Sequence, residues 1–251
     1  MARVYDYWLG GAHNFAADRT LADQALGIMP SLKSAILTNR AFLRRAVHYL
    51  ASVGVRQFLD LGSGIPTVGN VHEVARQAAP DSRVVYVDID PVAVAHSRSL
   101  LRDDPLVRAL QSDIRDPAAV LKSPEVTDLL DLSQPIAVLM IALLHFVPDS
   151  DDPAGIIAGY RDRLPSGSHF ALSHLGTEPG EEPEGWQRYR DLYARSVTPL
   201  TSRNQREIAA FFTGFSLVPP GVTRMPLWRP VDVPEPDADR FPGFAAVGRK
   251  P

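Results

Sequence analysis

Three successive apolar runs end in acids, the first at a glycine turn: Phe58-Leu59-Asp60-Leu61-Gly62-Ser63-Gly64, Val84-Val85-Tyr86-Val87-Asp88 and Gln111-Ser112-Asp113-Ile114. Glycines let a backbone turn sharply and let a ligand approach with no Cβ in the way. A dinucleotide fingerprint needs a third glycine three residues after the second. That position holds Thr67, after Ile65-Pro66, and no Gly-Lys-Ser/Thr follows. A pyrophosphate cradle is therefore poorly supported. Asp60, just before the turn, would repel phosphate and favour a cation. The ammonium and sulfonium groups of S-adenosylmethionine meet that description. Asp88 stands at the next run's end, where an acid can accept from both ribose hydroxyls. Its other use, capping a helix, already falls to Asp90. Asp113 can accept from an adenine amino group, with Ile114 or Ile89 packing on the ring. Asp113 by itself is more often a plain turn residue; the ordered set of three acids is the specific signal.

A second group of residues suits an acceptor. Met140-Ile141-Ala142-Leu143-Leu144-His145-Phe146 closes a fourth apolar run, and His145 is its titratable side chain. A neutral imidazole there could take a proton from a nucleophile. It could equally do no more than pack and hydrogen-bond beneath the cofactor. His174 closes a fifth run with the same two readings. Methyl transfer needs no base in principle, because alignment of the nucleophile and exclusion of water can suffice. The opening stretch supplies Tyr5, Asp6, Tyr7, Trp8, Asn14, Phe15 and Arg19. Tyr5, Tyr7, Asn14 and Arg19, with His145 and His174, are the candidate substrate contacts, and His145 and Tyr7 the candidate catalytic groups. Arg40 and His72 are further candidates for the pocket wall.

These residues need a scaffold that brings strand ends together. Strands are expected at Arg56–Leu61, Arg83–Val87, Val107–Gln111, Ile136–Ile141 and Ser168–His174. Helices are expected between them, at 67–79, 91–101, 117–130 and 153–164. Asp90-Pro91, Asp116-Pro117 and Asp152-Pro153 open three of them. Asp is a favourable N-cap and Pro a favourable first helical residue. Before the first strand, helices are expected at 20–27 and 31–52, the latter from the spacing of Ile36, Leu37, Leu43, Val47 and Leu50. Residues 1–19 show no clean period. In the tail, Ser202-Arg203-Asn204-Gln205 resembles a capping box. It would open a helix through Phe212, before strands at 215–218 and 244–248. The acidic segment 177–185 reads equally as a solvated loop or a mobile lid. Alternating β-α units argue for an α/β, doubly wound, mostly parallel sheet, whose carboxyl edge is the ligand crevice.

The strand-glycine-acid series resembles the class I S-adenosylmethionine-dependent methyltransferases, which are Rossmann-like. More closely, the chain resembles the actinobacterial S-adenosyl methyltransferase family, formerly a domain of unknown function. The carrying stretches are ARVYDYWLGGAHNFAADR, FLDLGSGIPTVGNVHEVA, VVYVDIDPVAVAHS, SDIRDP, LLHFVPDSDDP and GFAAVGRK. The resemblance implies a seven-stranded sheet in the order 3-2-1-4-5-7-6. It also implies S-adenosylmethionine as cofactor, held by Asp60, Gly62, Ser63, Gly64, Asp88, Ile89, Asp113 and Ile114. It gives no substrate.

Composition sets the outer bounds. The 251 residues carry a net charge of −3 and no cysteine. Disulfides and thiolate metal sites are excluded, no metal is expected, and nothing marks a nucleic-acid partner. The longest apolar run, near 136–144, is too short to span a bilayer, and the start lacks the form of a signal peptide. A cytoplasmic protein with a small-molecule substrate is expected. One domain over 1–251 is expected, with 1–52 as a helical lid packed on a 53–251 core. Two other functions stay open: a non-catalytic cofactor-binding or regulatory protein, and a nicotinamide-dependent oxidoreductase, which Thr67 and Asp60 oppose.

Overall fold

A computed structural model describes residues 1–66, 69–196 and 199–251. Three helices lead, α1 (Ala2–Trp8), α2 (Ala16–Ile28) and α3 (Leu32–Ser52). Alternation follows: β1 (Gln57–Leu61), α4 (Val71–Ala78), β2 (Arg83–Asp88), α5 (Pro91–Leu100) and β3 (Val107–Gln111). Next come α6 (Pro117–Lys122), α7 (Pro124–Thr127), β4 (Ala137–Ile141), α8 (Pro153–Arg163) and β5 (His169–Leu175). The chain ends with α9 (Trp186–Ser196), α10 (Gln205–Ala210), β6 (Ser216–Leu217), β7 (Thr223–Arg224) and β8 (Gly243–Arg249).

The three Asp-Pro pairs do cap helices. Asp90 accepts from the Val92 amide, Asp116 from Ala119 and Asp152 from Gly155. Pro124 splits the helix expected at 117–130, because it offers no N–H and pushes the residue before it out of the helical region; Ser123 is extended, at ψ 146°. The tail capping box sits two residues later than expected. Asn204 accepts from the Glu207 amide and Glu207 from that of Asn204. The helix expected from Thr67 starts at Val71 among the described residues; Thr67 itself lies outside them.

The sheet runs β3-β2-β1-β4-β5-β8-β6, and β7 also pairs with β8. The expected order is therefore present, with one short extra strand. The first five strands are parallel and β8 is antiparallel to β5. Side chains alternate across the sheet. Leu59, Leu61, Val85, Val87 and Met140 pack on the face covered by α6, α8 and α10, while Phe58, Val84 and Leu139 pack on the face covered by α3 and α4. A third cluster joins Val4 and Trp8 of α1, Ala22 and Ala25 of α2, Ile36 of α3, and Trp186, Tyr189 and Tyr193 of α9. Thus α1, read in the sequence as aperiodic, is a short helix, and α9 packs with the leading helices. Among the described residues no helix is long and apolar enough to cross a membrane.

Candidate active site

The carboxyl ends of β1 to β5 open into a cavity of about 440 Å³, a size suited to a small ligand. The glycine turn forms its floor. Gly62 and Gly64 have φ of 68° and 67°, a region that side chains disfavour. A side chain at Gly62 would also run into Leu143. The Gly62 and Ser63 amides donate to the Val87 carbonyl, at 2.8 and 3.1 Å.

Asp88 locks this turn to β2. One of its oxygens accepts from the Gly64 amide and the other from the Asp90 amide, both at 2.8 Å. Asp88 is thus not spare in the fold, although each oxygen keeps a lone pair directed elsewhere. Ile89 beside it is 60% exposed, an apolar platform on the cavity wall. Asp113 and Ile114 line the same wall. Arg115, which the sequence reading passed over, grips the Asp113 carboxylate through Nη2 at 2.6 Å. That hydrogen bonding holds Asp113 below its ordinary carboxylate range.

Asp60 is different. Its carboxyl is 6% exposed, lies on the cavity wall, and makes no hydrogen bond to a described residue. Burial pushes its pKa up to about 7; Arg40 pulls it down and Asp88 pushes it further up. A buried carboxyl facing a cavity, with no hydrogen-bond partner among the described residues, is complementary to a cationic ligand.

The opposite half of the cavity lies under β4 and β5. Ala142, at the end of β4, has φ 54°, a strained value for a residue with a side chain. A buried network holds it. The Ala142 amide donates to Ser173 Oγ at 2.9 Å, and Ser173 Oγ to Asn39 Oδ1 at 2.5 Å. Asn39 Nδ2 then donates to the Tyr5 hydroxyl at 2.8 Å. Tyr5 therefore ties α1 to the strand ends across the cavity.

His145 reaches the cavity wall and is 7% exposed. Burial, then the nearby His174 and Arg203, hold it well below its ordinary pKa. It is a neutral imidazole at physiological pH and a poor proton acceptor. His174 is closed off on both sides. Its Nδ1 donates to the Leu175 carbonyl at 2.6 Å and its Nε2 accepts from Arg203 at 2.8 Å. Burial lowers its pKa to about 3. With both nitrogens engaged, His174 has no hydrogen bond left for a substrate. Its place is structural, beneath the loop carrying His145.

Arg203, also missed in the sequence, organises that loop. It is 4% exposed and donates to the Leu144 and Val147 carbonyls, at 2.9 and 2.8 Å, and to Asp149 at 2.6 Å. Three further sequence candidates are not on the cavity wall. The Tyr7 hydroxyl donates to Asp23 at 3.2 Å. Asn14 donates to Asp6, and Arg19 turns back on Asn14. These side chains shape the opening segment. His72 is elsewhere too, bound to the Tyr86 hydroxyl at 2.7 Å. Arg40 does line the cavity.

Fold and site together define the Rossmann-like class whose strand edge takes a nucleoside cofactor. The whole chain, residues 1–251, matches the family described as S-adenosyl methyltransferase, and it belongs to that family. A candidate methyltransferase from Thermobifida fusca YX is 41% identical, with TM-score 0.93 over 100% of this chain and 94% of its own. A DUF574-family protein from Streptomyces avermitilis MA-4680 is 39% identical, with TM-score 0.90 over 100% and 97%. The fold also matches Burkholderia thailandensis 1,6-didemethyltoxoflavin-N1-methyltransferase, at 18% identity and TM-score 0.53 over 94% and 91%, a structure holding 1,6-didemethyltoxoflavin and S-adenosylhomocysteine. No curated protein matches. The chain is an S-adenosylmethionine-dependent methyltransferase.

Proposed function

We propose that the chain methylates a small organic acceptor, with S-adenosylmethionine on the β1–β3 edges and the acceptor under β4, β5 and α9. The observation that carries this division is the buried Asp60 carboxyl facing one side of the cavity. Asp60 would receive the cofactor's cationic end. Gly62, Ser63 and Gly64 would give its chain close approach to the backbone. Asp88 would accept from the ribose, and Ile89, Asp113 and Ile114 would surround the adenine. The cofactor supplies a methyl group already activated by sulfonium. The protein's part is then to align the nucleophile and exclude water. Asp88→Ala tests the arrangement. Loss of a hydrogen bond to a charged group costs roughly 1.5–3 kcal/mol, so affinity for S-adenosylhomocysteine should fall about tenfold or more. Because Asp88 also holds the Gly64 and Asp90 amides, a small loss of stability should accompany it. Unchanged affinity would show that a different acid holds the ribose.

The chain is proposed to act as one domain, with residues 1–52 as its lid. Met1, Ala2, Tyr5, Asp6 and Trp8 of the opening segment line the cavity. Arg3 fastens this segment to the cofactor side, bonding Asp90 at 2.7 Å and Asp18 at 3.0 Å. Tyr5 and His145 remain the proposed substrate contacts; Tyr7, Asn14 and Arg19 are assigned to the lid's own shape. Amide exchange across residues 3–19 should slow when S-adenosylhomocysteine binds. Exchange as fast as a free tail in both states would remove the lid. The proposed setting is the cytoplasm of an actinobacterium, in keeping with the Thermobifida and Streptomyces relatives.

A further inference from the structure

The acceptor half of the cavity is walled by rings. Tyr193 stacks on Phe146, with centroids 6.3 Å and planes 28° apart. Tyr189 lies 4.8 Å from Tyr193, and His145 lies 4.4 Å from Phe146. All four line the cavity. Aromatic faces suit a flat apolar ligand, and their negative quadrupoles favour one that becomes positively charged.

The polar groups on this wall include hydrogen-bond donors. His145 Nδ1 accepts the Leu175 amide at 3.4 Å. The neutral ring therefore carries its proton on Nε2, which makes no hydrogen bond to a described residue. The Tyr193 hydroxyl is buried and completes no hydrogen bond of good geometry, although the neighbouring Tyr189 phenol acts on it electrostatically. His174 is closed on both nitrogens. Asp6 gives one oxygen to His13 and Asn14, and the other is buried without a hydrogen-bond partner among the described residues. Arg40 donates to the Gly69 carbonyl. The groups set against these rings, the neutral His145 imidazole and the Tyr189 and Tyr193 phenols, are poor proton acceptors. A phenol would keep its proton here. An alkylammonium would have no lone pair to offer the methyl group.

We propose that the acceptor is a neutral, flat nitrogen heteroaromatic, set against Phe146, Tyr189 and Tyr193. One of its heteroatoms accepts from His145 Nε2–H, and a second, unprotonated nitrogen takes the methyl group. This rests on the methyltransferase reading above. The nitrogen lone pair closes the new N–C bond, and the electrons of the broken C–S bond go to sulfur. Positive charge passes from sulfur to nitrogen, no proton moves, and the aromatic wall faces the new cation.

The probe is 1,5-naphthyridine, flat, neutral and bearing two ring nitrogens. It is titrated calorimetrically into the complex of the full chain with S-adenosylhomocysteine, beside 1-naphthol, naphthalene-1-carboxylate and cyclohexylamine. The naphthyridine should bind at least about tenfold more tightly than the other three, and with S-adenosylmethionine it should yield the N-methyl cation. His145→Phe, which keeps a ring and removes the donor, should weaken it about three- to tenfold. Tyr193→Leu should weaken it as well. Both variants should bind S-adenosylhomocysteine as the unaltered chain does. Equal or tighter binding of the naphthol or the carboxylate would overturn the proposal. So would a complex that binds S-adenosylhomocysteine normally and ignores the naphthyridine. Failure of S-adenosylhomocysteine itself to bind would overturn the cofactor reading, and this inference with it.

Discussion

Asp60→Asn should raise the melting temperature at pH 8 while weakening cofactor binding tenfold to a hundredfold. The carboxyl is buried, and burial pushes its pKa up to about 7 in the fold, against about 3.9 for an unfolded chain. Below pH 4 it is protonated in both states and costs nothing. Between pH 4 and 7 the unfolded chain ionises first, so the folded protein binds more protons and stability falls as pH rises. Above pH 7 the full cost remains, on the order of 4 kcal/mol at about 1.36 kcal/mol per pKa unit. Asn removes that ionisation. The variant should match the unaltered protein near pH 4 and exceed it by several degrees at pH 8. The affinity loss corresponds to a charge-assisted hydrogen bond worth roughly 1.5–3 kcal/mol. Thermal melts at both pH values, with titration of S-adenosylhomocysteine, check the two halves together. A variant less stable at pH 8 and unchanged in affinity would mean that Asp60 is a structural acid.

Arg203→Met should have the largest effect on stability. The methionine roughly fills the stem's volume and supplies no donor. It leaves the Val147 carbonyl and His174 Nε2 without the donor they now have, while the Leu144 carbonyl keeps the Val147 amide. Unsatisfied buried groups cost about 1–3 kcal/mol each; Asp149, the one charged partner, is exposed and adds little. For a chain of this length the melting temperature should fall by about 10 °C. The loop after β4, which carries His145, should loosen with it. Arg203→Lys should recover only part of the loss, because a point charge cannot fork to several acceptors. Urea unfolding of the three proteins gives the comparison. A loss below about 1 kcal/mol for the methionine variant would show that the network does not hold the loop.

The scaffold was legible because its signals are local. Each Asp-Pro pair needs only its own first turn to be a cap, and the strand-end acids follow from runs of five or six residues. One wall of the cavity could be read that way, since Gly62, Gly64, Asp88 and Asp113 each sit at an end of a parallel strand. The double duty of Asp88 was less visible, because it depends on the path of the Gly64 amide. The acceptor side was harder. Ser173 meets Asn39 across 134 residues of chain, and Arg203 meets Leu144 across 59. No spacing rule joins such pairs. The histidines looked alike in sequence, and only the fold separates His145, open to the cavity, from His174, closed by Arg203. The helix α9 did leave a signal. Trp186, Tyr189 and Tyr193 fall on one helical face, next to the acidic segment. That segment is neither free loop nor open lid here: Glu181 pairs with Arg224, and Glu178 accepts from the Gln205 amide.

Calorimetric titration at pH 8 of the full-length protein with S-adenosylmethionine, S-adenosylhomocysteine and NAD tests the central claim most directly. One site should appear for each of the first two, with no comparable binding of NAD, because a carboxylate just before the glycine turn would repel a pyrophosphate and Thr67 stands where the dinucleotide fingerprint needs a third glycine. NAD binding as tight as that of S-adenosylmethionine, or no binding of either sulfur compound, would contradict the account.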